Sequence, residues 1–162
     1  ANNVLQYCMK KIFFVLFLFL EFTLIAQETN QSNEPLWWKM ERENHFLEAA
    51  SYLLYKVQSD STRNSHADYW HIGRLYGYLN DYEKAIFYMT KSTEGINLAE
   101  DEQWWWYFKG TIAFLNRDKK ELFQYMNKLQ SNHTKYHESN SNTLNSLYKQ
   151  FDQGYLEASK WK

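Results

Sequence analysis

Cysteine and proline are nearly absent from this chain: Cys8 and Pro35 are single occurrences, and only five glycines are present. Because no cysteine follows residue 8, we expect the folded part to be stabilised by packing, without disulfides. Few glycines and prolines argue against long loops and many-turned β architectures. The net charge is −1 with both signs interspersed, which argues against a nucleic-acid partner, since phosphate binding needs a concentrated basic patch.

The N-terminal part has the pattern of a secretory signal. Lys10 and Lys11 precede an apolar run from residue 12 to 20, which Glu21 ends. A charged start and a short apolar run of this kind are typical of a bacterial-type signal peptide. We therefore predict an upstream extension over 1–8, a signal peptide over 9–26 with cleavage after Ala26, and a disordered linker over 27–34. The protein is expected to be exported, periplasmic or secreted; an uncleaved signal anchor is the alternative and the sole membrane contact considered.

Apolar residues recur at helical spacing through the rest of the chain, with no convincing period-two stretch. The sequence predicts an all-α fold. One apolar face runs from Leu36 to Val57, as a single helix or as two pieces broken near Asn44. The further predicted helices are His66–Leu79, Tyr82–Thr93, Glu102–Leu115, Lys119–Leu129 and Thr143–Trp161, and the start of the Ser/Asn/His-rich stretch 131–146 is predicted as loop.

An internal repeat appears when the chain is shifted by 37 residues. Gly73 then aligns with Gly110, and Asp81 aligns with Asp118. The segment Tyr88-Met89-Thr90-Lys91 aligns with Tyr125-Met126-Asn127-Lys128. Two helical hairpins therefore follow one another along the chain.

The first hairpin, with Ile72-Gly73-Arg74-Leu75-Tyr76 and Asp81-Tyr82-Glu83-Lys84-Ala85, resembles the tetratricopeptide repeat, which is 34 residues long. The resemblance implies a solenoid of about three stacked antiparallel hairpins over 35–162, with repeats at 66–99 and 103–136 and partial units at 35–58 and 139–162. Its signature positions correspond here to Tyr69, Ile72, Gly73, Tyr76, Tyr82, Ala85, Met89, Trp106 and Gly110. Gly73 and Ala85 are small enough for a close helix crossing, and Trp106 takes a packing position. Leu122 replaces the usual alanine in the second hairpin.

The resemblance also implies a groove, lined by the first helix of each hairpin, that takes an extended peptide. By register, the groove-facing residues are Trp70, Arg74, Tyr78, Trp104, Tyr107, Thr111 and Phe114. Aromatic side chains with an arginine suit peptide or carboxylate capture. In the run Trp104-Trp105-Trp106, neighbouring residues point about 100° apart on a helix. Trp104 is therefore expected in the groove and Trp105 against the partner helix.

Catalytic and cofactor motifs are missing from the sequence. It contains no glycine-rich phosphate loop, no GxSxG and no HExxH. His133 and His137 lie four residues apart and Glu138 follows, but structural metal sites need three or four converging ligands. We interpret this stretch as a polar connection and expect no metal, no cofactor and no catalysis.

The leading hypothesis is therefore an exported helical scaffold that binds a protein or peptide partner. Two further hypotheses remain open at this point. The chain is alternatively the extracytoplasmic sensory part of a longer membrane-bound regulator, or a glycan-binding surface protein. The sequence identifies neither the partner nor the oligomeric state.

Overall fold

Eight α-helices and one short 3₁₀-helix form the part of the chain that the computed structural model describes, residues 34–97 and 100–160. All belong to the unit that begins at Leu36. The predicted extension 1–8, signal peptide 9–26 and linker residues 27–33 lie outside the described residues. The α-helices are α1 (Leu36–Arg42), α2 (Phe46–Ser59), α3 (Ser65–Tyr78), α4 (Tyr82–Lys91), α5 (Glu102–Leu115), α6 (Lys119–Asn132), α7 (Glu138–Lys149) and α8 (Tyr155–Ala158). The 3₁₀-helix is Lys135–His137, and no β-strand occurs in these ranges. The all-α prediction is confirmed.

Three turns, between α1 and α2, α3 and α4, and α5 and α6, have the same backbone. Each has a left-handed residue: Asn44, Asn80 and Arg117 have φ near 60°. In the second turn the Asp81 amide donates to the Tyr76 carbonyl and the Asn80 amide to the Gly77 carbonyl. The other two turns repeat both bonds, with His45 and Asp118 donating in place of Asp81. This is the Schellman pattern of helix ends, repeated here at intervals of 36 and 37 residues, and Asn44 does break the first helical stretch.

Each turn leads into a second helix, but only two of the three helix starts have a side-chain cap. The Asp81 carboxylate accepts from the Lys84 amide at 3.2 Å, and the Asp118 carboxylate accepts from the Glu121 amide at 2.8 Å. His45 occupies the equivalent position before α2, and its side chain makes no capping hydrogen bond. The structure thus has three hairpins, α1–α2, α3–α4 and α5–α6, numbered from here on in that order. The first lacks a stabilising contact that the other two possess.

Replacing His45 with aspartate is expected to raise the free energy of unfolding by about 1 kcal/mol, the usual value of a helix cap. The neighbouring Glu48 does not prevent this, because Asp118 caps α6 beside Glu121. Urea denaturation of His45→Asp and of the control His45→Ala measures the difference. An aspartate variant no more stable than the alanine variant would show that α2 needs no cap.

Within the hairpins, α3 packs mainly on α4 and α5 on α6. The α3–α4 crossing is close, since a Cβ on Gly73 would lie 2.9 Å from both the Ala85 carbonyl oxygen and the Met89 amide nitrogen. Gly110, at the equivalent position of α5, faces a different neighbour: its Cβ would lie 2.7 Å from Leu144 Cδ1 on α7. The two glycines therefore share a repeat position and serve different helix contacts.

The tetratricopeptide-type signature positions divide by burial. Ile72, Ala85 and Met89 have no exposed surface, whereas Tyr69, Tyr76, Tyr82 and Trp106 are partly buried. Tyr76 and Tyr69 both stack on Tyr88, with ring centroids 5.5 and 6.2 Å away. In the run 104–106, all three tryptophans are partly buried, and they pack against a cluster of buried side chains that α4 to α8 contribute.

The C-terminal prediction of one helix over Thr143–Trp161 is wrong. Helix α7 begins at Glu138 and ends at Lys149, and α8 starts only at Tyr155. The early start lies in a stretch predicted as loop, yet Ser141, Leu144 and Leu147 are buried at helical spacing. Burial of that face outweighs the weak helix propensity of the serines and asparagines.

Candidate functional site

A cleft of about 620 Å³ opens between the first helices of the second and third hairpins and the C-terminal helices. Helix α3 and helix α5 form one side, and the 3₁₀-helix, α7, the first residue of α8 and Ser159 form the other. The lining residues are Trp70, Arg74, Tyr78, Asp101, Trp104, Tyr107, Tyr136, His137, Ser139, Asn140, Thr143, Tyr155 and Ser159.

The α3–α5 side of the cleft is aromatic. The ring of Trp70 lies 5.8 Å from that of Trp104 and 5.5 Å from that of Tyr107, at steep angles. Trp104 in turn stacks on the buried Phe108, with centroids 5.8 Å apart. Such packing fixes the two indoles at low cost in side-chain entropy. This side of the cleft is therefore an aromatic wall.

Arg74 provides a permanent positive charge beside this wall. Its side chain is 26% exposed, and Nη2 donates to Glu41 Oε1 at 3.0 Å and to the Tyr78 hydroxyl at 2.5 Å. Nη1 lies 3.2 Å from His71 Nδ1. Although burial alone would lower it, the pKa of Arg74 is raised, because Tyr78 and Glu41 favour the charged form. Burial and the charge of Arg74 lower the pKa of His71 to about 4, so this ring is neutral at pH 7.

Two buried tyrosines, Tyr107 and Tyr155, line the cleft close to Arg74. Burial raises the pKa of each phenol, and the positive charge of Arg74 only partly opposes this rise. Both phenols therefore remain protonated over the ordinary pH range and are able to donate hydrogen bonds.

At the rim, His137 connects the starts of α5 and α7. Its Nε2 lies 3.2 Å from Asp101 Oδ1, and its Nδ1 lies 3.1 Å from Nδ2 of the Asn140 side chain. The same Asp101 oxygen caps α5 by accepting from the Trp104 amide at 2.9 Å. The contact thus fixes the entrance of the cleft opposite the indole wall.

Five of the seven predicted groove residues line this one cleft: Trp70, Arg74, Tyr78, Trp104 and Tyr107. Placing Thr111 and Phe114 in the groove was wrong, because both side chains are completely buried. Phe114 is covered by Phe151 and Tyr155, whose ring centroids lie 5.6 and 5.9 Å away. The chain's own C-terminal helices therefore close the lower half of the groove that the repeat register implies.

Sequence reasoning missed the opposite side of the cleft, including Tyr136, Asn140 and Tyr155. These residues belong to the most divergent part of the chain, and no spacing relates them to α3 or α5. His137 was considered only with His133, whose ring contacts the Gln130 carbonyl instead. Within residues 34–97 and 100–160, no group of three or more His, Cys, Asp or Glu side chains is placed to hold a metal ion.

No protein-family model, curated protein or solved structure matches this chain. Across the described ranges, none of the helices has both the length and the apolar character needed to cross a bilayer.

Proposed function

We propose that this protein is an exported, non-catalytic binding scaffold that takes a segment of a protein or peptide partner into the cleft between α3, α5 and α7. One observation carries the proposal. The repeat register predicts that Trp70, Arg74, Tyr78, Trp104 and Tyr107 face one groove, and all five line a single cleft. Concave sites with aromatic walls and a few convergent polar groups are typical ligand sites.

The scaffold proposed is a short tetratricopeptide-like solenoid. Its support is the common backbone of the three hairpin turns, together with the close Gly73–Ala85 crossing. The spacing of 36 and 37 residues exceeds the 34 of the tetratricopeptide repeat. In this arrangement α7 and α8 act as the terminal cap that a helical array needs to shield its last apolar face.

Binding would be passive and would depend on the indole wall. Trp70 and Trp104 offer large rigid surfaces, and such residues commonly account for most of the binding energy at protein interfaces. The cleft has room for one or two partner side chains rather than a long helix. We therefore expect recognition of a short extended segment by its side chains.

The test is binding of peptides selected against the purified protein from a random library. Trp70→Ala and Trp104→Ala are each expected to weaken peptide binding at least about tenfold, as loss of a binding hot spot does. Isothermal titration measures the affinities, and circular dichroism checks that each variant folds.

Trp105→Ala is the matched control. Trp105 is adjacent to Trp104 and stacks on the same Phe108, 5.1 Å away, but it does not line the cleft. Its removal is expected to leave peptide affinity unchanged. Equal losses for all three variants, or no loss for any, would place the binding surface elsewhere.

A further inference from the structure

The floor of the cleft carries hydrogen-bond donors that have no acceptor among the residues the structure describes. Arg74 uses Nη1 and Nη2 for its contacts with His71, Glu41 and Tyr78, but no described residue accepts from its Nε. The described chain contains no fully buried side-chain nitrogen or oxygen without a partner. The Arg74 side chain is 26% exposed and lines the cleft.

The hydroxyl of Tyr155 is a second donor without an acceptor among the described residues. The residue is only 1% exposed, and its ring stacks on Tyr78 with centroids 5.6 Å apart. Among the described residues, none forms a hydrogen bond with the Tyr155 hydroxyl, although Tyr155 lines the cleft. Tyr155 thus brings to the cleft a phenol without a described hydrogen-bond partner, and both its ring and the Arg74 guanidinium contact Tyr78.

The Tyr78 hydroxyl is a third potential donor. Its oxygen accepts from Arg74 Nη2, while its own proton has no acceptor among the residues described. The nearby carboxylates do not fill this role. Glu41 accepts from Arg74 without lining the cleft, and Asp101 lies at the rim with His137.

We propose that this floor is an oxyanion subsite, in which Arg74, Tyr78 and Tyr155 donate to a carboxylate or phosphate group of the ligand, while Trp70 and Trp104 hold an aromatic or apolar group beside it. The inference rests on the proposed function and specifies the ligand chemistry of the same cleft. Charge-assisted hydrogen bonds to an anion are the strong ones. The arginine edge supplies donors alone, and each tyrosine hydroxyl supplies one further donor. An acceptor-rich anionic group matches this lining better than a cation or an amide.

Three small probes test the subsite: N-acetylphenylalanine, its uncharged analogue N-acetylphenylalaninamide, and phenyl phosphate. Titration at low ionic strength, followed by tryptophan fluorescence, is expected to show the acid binding at least about tenfold more tightly than the amide. Preference for phenyl phosphate over the acid would identify a phosphorylated ligand as the source of the anion. Preference for the acid would identify a carboxylate.

Tyr155→Phe removes one donor without changing the ring. It is expected to weaken binding of the preferred anion roughly fivefold to tenfold and to leave the amide unaffected. Glu41→Gln is expected to strengthen anion binding, because it removes the negative charge that competes for Arg74. Both variants avoid deleting Arg74, whose loss would leave Glu41 without its partner.

Equal affinities of the acid and the amide, or unchanged anion binding in Tyr155→Phe, would overturn the subsite. A different result decides the proposed function. If selected peptides still require Trp70 and Trp104, the cleft binds ligands without an anion at its floor; if they do not, the cleft is not the binding site at all.

Discussion

Replacing Tyr155 with alanine is expected to lower the free energy of unfolding by about 3–5 kcal/mol, the usual cost of deleting a buried aromatic ring. Tyr155 is the largest fully buried side chain in the described part of the chain. A Cβ on Gly77 would lie 2.6 Å from its ring, and Tyr78 and Phe114 contact it from two different helices. Its removal would leave a cavity that α3, α5 and α8 share.

Tyr136→Ala is the control for this change. Tyr136 also lines the cleft but is 84% exposed, so its removal is expected to change stability by less than about 0.5 kcal/mol. Urea denaturation of the two variants gives the comparison directly. A Tyr155→Ala variant that unfolds like Tyr136→Ala would mean that α8 is not part of the cooperative core.

Gly73→Ala is expected to cost about 2–3 kcal/mol, although alanine has the higher helix propensity. The added methyl group would approach the Ala85 carbonyl oxygen and the Met89 amide nitrogen at 2.9 Å. These are backbone atoms of α4, so relief requires the two helices to separate. The same substitution therefore tests how closely the second hairpin is packed.

Gly110→Ala is the matched substitution at the equivalent position, 37 residues later. There the methyl group would meet the end of the Leu144 side chain, at 2.7 and 2.8 Å from its two Cδ atoms. A side-chain end is able to rotate away, so this variant is expected to stay within about 1 kcal/mol of the parent, helped by the helix propensity of alanine. Equal costs at Gly73 and Gly110 in thermal or urea unfolding would contradict the distinction between backbone and side-chain neighbours.

The parts of the fold that sequence reasoning predicted are those that local patterns control. Asn80 and Asp81 are typical of a helix end followed by a helix cap, and the structure has both. Trp70, Arg74 and Tyr78 are four residues apart, which puts them on one face of α3 wherever that helix packs. The repeat then placed Trp104 and Tyr107 on the corresponding part of α5.

The parts that it missed depend on long-range packing. Tyr155 contacts Gly77 and Tyr78 of α3 across more than 70 residues of sequence, and it occupies the space that Gly77 leaves open. No periodicity encodes this contact, so the covering of Phe114 was not predictable from its register position. The contact between His137 and Asp101 was not predictable for the same reason, because it joins two helix starts that are far apart in the sequence and that only the fold brings together.

The central claim is that ligands enter the cleft beside Trp70 and Trp104. Its most direct test is the indole N–H region of the NMR spectrum of the tryptophan-¹⁵N-labelled protein, recorded while a selected peptide is titrated. We predict that the signals of Trp70 and Trp104 shift during the titration, with a midpoint that matches the Kd of the peptide. The signal of Trp38, which is exposed on α1 and does not line the cleft, is expected to stay unchanged. Shifts confined to Trp38, with Trp70 and Trp104 unchanged, would contradict the claim.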